Sequence, residues 1–136
     1  MKPAAKTLLT LTIAFLSATL PITRAQAATY YTSGTIESTN LLSANGVSSV
    51  NALGYNLSAL PTDTSVQIRF SDDATNWYDS AGTPDAWDTL SVGDYSAEND
   101  AIDLSALNWT RNYLYYQVQF DTSDTANTAV LDGITV

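Results

Sequence analysis

The chain of 136 residues has no cysteine and no histidine, and its single methionine is Met1. Without cysteine there are no disulfides, so packing or bound cations must hold the fold. Without His or Cys the common general bases, thiol nucleophiles and preferred zinc ligands are missing. Lysine occurs only at Lys2 and Lys6, which removes Schiff-base chemistry from the rest of the chain. Long helical patterns are missing too: no run of ten or more residues past the N-terminal segment has a convincing 3.6-residue period.

The start of the chain is a targeting signal. Lys2 and Lys6 precede an apolar stretch from Leu8 to Leu20, Pro21 breaks it, and Ala25-Gln26-Ala27 forms a small-residue cleavage site. The stretch is shorter than the ~20 residues a spanning helix needs, so the pattern reads as a secretory signal peptide over residues 1–27. The expected localisation is secreted, extracellular or at the cell surface, with no membrane insertion after cleavage. A single domain is expected over 28–136. There only Arg69 and Arg111 face all 14 acids, two positive charges against 14 negative, for a net of −12. Such a charge repels nucleic-acid phosphates and anionic lipid, so neither is an expected partner.

Period two dominates this region. In Val66-Gln67-Ile68-Arg69-Phe70 apolar and polar residues alternate, the mark of a half-buried strand. In 112–120 Leu114, Tyr116, Val118 and Phe120 share one face, and Tyr113, Tyr115, Gln117 and Gln119 share the other. The aliphatics make the first set the core face. Weaker strands are expected over Thr35–Leu41, Val47–Leu57, Ala101–Leu104 and Val130–Val136. Gly54 reads as a bulge or bend, and Asp132-Gly133 as a turn or bulge. Turns are expected at Ser33-Gly34, Asn45-Gly46, Leu60-Pro61, Ser71-Asp72-Asp73, 81–84, Val92-Gly93-Asp94 and 121–127, and one short helical turn between Leu104 and Trp109. Many short strands at this spacing predict an all-β fold, an antiparallel β-sandwich or jelly roll.

The stretches SGTIESTNLL, LPTDTSVQIRFSDDATNWYDS, WDTL, IDLSALNW and NYLYYQVQFDTSDTANTAVLDGITV follow one another in a familiar order. Together they resemble a small module, often repeated, of large secreted and surface proteins of bacteria. The strand–turn–Trp unit and the late aromatic strand are also similar to the galactose-binding-like jelly roll of discoidin-type and carbohydrate-binding modules. The resemblance implies a β-sandwich in an extracellular, non-catalytic setting.

Aromatic residues carry the functional reading. Exposed rings stack on the apolar face of a sugar while nearby amides and acids take its hydroxyls. Trp87, Tyr78, Asp85 and Asp88 fit that description, as do Tyr113, Tyr115 and Gln117. The competing reading is core packing, because Trp is highly buried on average. It is favoured for Trp109 and Trp77 and is as strong as the binding reading for Trp87. Two acids flanking a glycosidic bond are the minimum for hydrolysis. The pairs Asp85/Asp88 and Asp72/Asp79 sit in turns, however, where Asp belongs for backbone hydrogen bonding, so no enzyme is expected. Asp94, Glu98 and Asp100, with Asp103 nearby, offer the oxygen donors that Ca²⁺ takes, and Asp121 with Asp124 forms another acidic loop. A structural Ca²⁺ and plain solvated turn acids both remain open there; no other cofactor is expected. Two functions follow. One is a non-catalytic module recognising a polysaccharide, a cell-surface glycan or a surface protein. The other is a structural subunit that self-associates through its sheet edges.

Overall fold

The alternating segments become the central strands. The structure is a computed structural model that describes residues 29–42, 50–96, 99, 101–109 and 113–136. Residues 1–27, where a signal peptide is expected, lie outside these residues, as does the expected Asn45-Gly46 turn. Eight strands are described: β1 (Ser33–Glu37), β2 (Ala52–Ala59), β3 (Thr64–Ser71), β4 (Asp88–Thr89), β5 (Gly93–Tyr95), β6 (Ile102–Asp103), β7 (Tyr115–Thr122) and β8 (Val130–Thr135). A single 3-10 turn, Ser105–Leu107, falls in the span where a helical turn was expected. Among the described residues no helix is long and apolar enough to cross a membrane.

The strands form two antiparallel sheets. One has the order β1-β7-β3-β4; in the other β2 pairs with β5, β6 and β8. The fold is thus an all-β sandwich. Chain neighbours β1 and β2, β2 and β3, and β7 and β8 lie in opposite sheets. The core between the sheets comes from one face of each long strand: Leu53, Tyr55 and Leu57 of β2, Val66, Ile68 and Phe70 of β3, and Val118 of β7. Leu42, Leu90, Leu104 and Leu114 close it from the connecting segments. Tyr116 and Phe120 pack against this cluster, as the alternation in 112–120 predicts.

Three short-range readings differ from the structure. Ser33-Gly34 is the beginning of β1 rather than a turn. Gly93-Asp94 lies in β5 rather than in a turn. β5 has too few residues to show a period and β1, exposed at all five residues, has no apolar–polar alternation, so pairing with a neighbour decides both. Gly54 pairs regularly with Thr135; the register shifts come later, beyond Asn56 and Leu57. Asn56 opposes Gly133 and Leu57 opposes Leu131, so Asp132 is the extra residue of a bulge. Gly54 is needed for closeness instead, since a Cβ there would lie 2.6 Å from both Thr135 Oγ1 and the Tyr95 carbonyl oxygen.

Candidate functional site

The outward face of the β1-β7-β3-β4 sheet gathers most of the polar and aromatic side chains singled out above. Directly paired residues share a face. Thr35, Gln119, Gln67 and Thr89 therefore form one row across the sheet, and Glu37, Gln117 and Arg69 the next. Tyr115 pairs with Ser71 one step further on.

Hydrogen bonds lock these rows. Arg69 Nε donates to Gln117 Oε1 at 2.8 Å, and Gln117 Nε2 donates to Glu37 Oε2 at 2.7 Å. The Thr35 hydroxyl donates to Gln119 Oε1, and Gln119 Nε2 donates to Asp121 Oδ1 at 3.0 Å. The amides are held in fixed rotamers, so they lose little entropy on meeting a ligand.

Arg69 sits at the centre of the face. Its guanidinium carbon is 4.2 Å from the centroid of the Trp87 ring and 5.3 Å from that of Trp77. Cation–π contacts of this kind contribute about 0.5–1 kcal/mol at exposed sites and more when desolvated. Apart from the Nε bond and these two rings, Arg69 has no hydrogen bond or ion pair among the described residues, so its terminal nitrogens keep donor capacity.

Trp77 follows from the same register. Phe70 and Tyr78 form an antiparallel bridge, which sets Trp77 opposite Ser71, on the outward face. Trp77 is only 7% exposed, yet it is not part of the inter-sheet cluster. It covers Ser71 and supports Arg69 from outside the core. Tyr78 takes the opposite parity: its ring meets Trp109 edge-on at 6.2 Å, and Trp109 packs against the core. Tyr78 and Trp87 thus lie on different faces of the sheet, and Tyr78 is not brought to the rows that hold Trp87.

The loop joining β3 to β4 is braced by its own acids. Asp73 Oδ1 accepts from the backbone N–H of Thr75 and of Asn76, both at 2.8 Å, and from Ser71 Oγ at 3.1 Å. Asn76 Nδ2 donates to Asp73 Oδ2 at 2.8 Å. The Asn76 backbone bond, then its side chain and the Thr75 N–H, hold the Asp73 carboxyl well below the usual range. Asp79 Oδ1 accepts from the Thr83 N–H at 2.7 Å, next to Gly82 at φ 85°. The Asp88 carboxylate accepts from Ser80 N at 2.7 Å and Ser80 Oγ at 3.0 Å. Asp85 is exposed at φ 57°, and its N–H donates to the Trp77 carbonyl at 2.8 Å. The carboxylates of Asp73, Asp79 and Asp88 thus shape the loop that presents Trp77 and Trp87.

At one end of the face, Tyr113 and Tyr115 with Asp72 and Asp73 line an open notch of ≈320 Å³. Tyr113 is 51% exposed and Tyr115 half-buried. Trp87, Gln117, Tyr115 and Tyr113 therefore share one surface; Asp88, the first residue of β4, pairs with Ile68 and takes the opposite side.

Of the acidic residues read as cation donors, Asp94 and Asp103 are among the described residues. Asp94 is exposed on β5, and its carbonyl accepts from Asn99 Nδ2 at 3.1 Å. Glu98 and Asp100 lie outside the described residues. Asp103 Oδ1 accepts from the Ser105 N–H at 2.8 Å, and the Ser105 hydroxyl and N–H lower its carboxyl pKa. Asp124 takes the Ala126 N–H and the Asn127 amide. Among the described residues no three acidic side chains gather in a metal-binding group.

Sequence reasoning placed Gln119 on the outward face but passed over Arg69, Thr35 and Gln67 as parts of it. One signal was available: a single basic residue in the polar register of a strand followed by two tryptophans. Compared with protein-family models, with curated proteins and with solved structures, the chain matches none of them.

Proposed function

We propose that this chain is a secreted, non-catalytic binding module that holds a polysaccharide or cell-surface glycan against the outward face of its β1-β7-β3-β4 sheet. The observation that carries the reading is the Trp87–Arg69–Gln117 row, bonded in place, with Tyr115 and Tyr113 beside it. The Trp87 ring offers a stacking surface that the guanidinium holds flat. The Arg69 terminal nitrogens and the unused N–H of Gln117 donate to ring hydroxyls. Tyr115 and Tyr113 extend the surface along the strand, and Tyr suits a half-wet face. A face of side chains already fixed by one another suits a rigid polymer, because little has to be ordered on contact. Secretion rests on the signal-peptide pattern of residues 1–27, and the resemblance to bacterial surface modules agrees with it.

The test is intrinsic tryptophan fluorescence of the purified protein titrated with a panel of soluble polysaccharides, with Ca²⁺ and then with chelator. One polymer is expected to give a saturable shift that Trp87→Ala abolishes while the far-UV circular dichroism stays native. A flat response across the panel from folded protein refutes the glycan reading. Loss of the response on chelation would add a cation to the site.

A further inference from the structure

Among the described residues β1 ends its sheet, and there it is open in a way that suits one particular partner. Thr122 N donates to the Thr32 carbonyl at 2.8 Å and Ser38 N donates to the Tyr116 carbonyl at 2.9 Å. In an antiparallel ladder the bonding residues alternate. The even-numbered residues of β1 therefore bond inward to β7. Ser33, Thr35 and Glu37 turn their N–H and C=O groups out from the sheet edge. All five residues of the strand are exposed. Edges of this kind are usually blunted by Lys, Pro or a bulge, and Ser33–Glu37 has none of these.

The inward face of β1 is open as well. Ile36 shares the side of Val118 and Ile68, yet it is 54% exposed. Gly34, on the same side, has no atom within 4 Å of where a Cβ would stand. With Tyr30, Tyr31, Phe120 and Ala129 they line a groove of ≈310 Å³, and Tyr31 at its rim is 92% exposed.

We infer that this edge is a homodimer interface, in which β1 pairs antiparallel with the β1 of a second copy about a two-fold axis at Thr35. The strand's own sequence selects that occupant and that register. With the axis at Thr35 all five residues find partners, and each pair of odd-numbered residues exchanges backbone bonds. Thr35 faces the partner's Thr35, a favourable cross-strand pair. Glu37 faces the partner's Ser33, whose hydroxyl can donate to the carboxylate. On the inward face Ile36 lies against the partner's Gly34, where the missing side chain leaves room for it. Moving the axis to Glu37 sets two carboxylates opposite each other, which is destabilising. The contact is isologous, as a closed two-fold dimer requires, and it joins two four-stranded sheets into one. In a chain this acidic, Ser33–Glu37 carries only one charge, so two copies meet where repulsion is least. The inference does not rest on the glycan reading, since β1 lies across β7 from Arg69 and Trp87.

Sedimentation equilibrium of the purified protein tests it. A reversible monomer–dimer equilibrium is expected, strengthened by added salt as screening weakens the acidic repulsion. Ile36→Lys should raise the dissociation constant at least tenfold. Thr35→Pro should do the same, because it deletes an outward N–H and no backbone bond to β7; the Thr35 hydroxyl bond to Gln119 is lost in Thr35→Cys as well, which separates the two effects. Thr35→Cys probes the axis without any demand on a disruptive variant. Its Cα atoms would stand about 5.5 Å apart in a bonded pair, within disulfide range, so oxidation should give a covalent dimer. Thr89→Cys on β4, at the opposite edge, should not. A protein that stays monomeric at every concentration overturns the inference. So does a dimer that survives both disruptive variants, or one that fails to crosslink through Thr35→Cys.

Discussion

Replacing Gly54 by alanine tests the packing of the second sheet most sharply. Gly54 is buried in β2, on the side away from Leu53, Tyr55 and Leu57. There the chain at Tyr95 and Ser96 crosses close to it. An added Cβ would stand 2.6 Å from Thr135 Oγ1, 2.6 Å from the Tyr95 carbonyl oxygen and 3.2 Å from the Ser96 Cα. The Thr135 hydroxyl can rotate away, but the Tyr95 carbonyl is main chain and must shift bodily. That movement loosens the pairing of β5 with Tyr55, Asn56 and Leu57 and the Tyr55–Tyr95 ring contact at 4.7 Å. Overpacking costs about 1–3 kcal/mol, and a clash with main chain belongs at the upper end. The stiffer unfolded chain offsets about 0.4–1 kcal/mol of it. The net loss is about 2 kcal/mol, or roughly 8 °C in Tm for a domain of this size. The assay is urea and thermal unfolding followed by circular dichroism, with Gly34→Ala as the control. Gly34 has open space around it within the chain, so that variant, compared at a concentration where both proteins are monomeric, should stay within about 0.5 kcal/mol of the parent. Adding Thr135→Ala to Gly54→Ala should recover less than half of the loss. If Gly54→Ala is as silent as Gly34→Ala, the close approach is not real. If Thr135→Ala restores full stability, the main-chain clash was misjudged.

Phe70→Ala removes the largest fully buried side chain, near the end of β3, and should cost about 3–5 kcal/mol, read as a large fall in urea midpoint. Trp87→Ala should cost far less, about 1 kcal/mol, because the ring is half-exposed and the main loss is its contact with Arg69; global unfolding of this variant would mean that Trp87 is a core residue. Acid stability should depend on Asp73 and Asp103, whose carboxyls are lowered by hydrogen bonds in the fold. A depressed carboxyl contributes stability above its unfolded value near 3.8 and loses it as the pH falls through the folded one. The parent should therefore lose Tm below about pH 4, and Asp73→Asn should flatten part of that slope. An unchanged slope in Asp73→Asn would remove Asp73 from the account.

The long strands were legible because they are long. Eight residues in β3 and in β7 are enough to show a period of two, and burying alternate residues is what an aliphatic–polar alternation does in water. The core faces of Val66, Ile68 and Phe70, and of Leu114, Tyr116, Val118 and Phe120, follow directly. So do the Asx turn at Asp73 and the bulge at Asp132, which are short-range chemistry. β4 and β5 were not legible, since two or three residues cannot display a period.

The sequence by itself determined the all-β class, the acidic and cysteine-free character and the core faces of β3 and β7. Local alternation and composition suffice for those. Tertiary structure decided which side of the sheet each tryptophan takes. Trp77 is buried without entering the core, because the bridge of Phe70 with Tyr78 sets its parity, and no local pattern encodes a bridge across a loop. It also decided that Arg69 lies between two indole rings and that β1 is an edge with Ile36 uncovered. Both depend on strand order, and strand order is a competition among distant segments for the same hydrogen bonds.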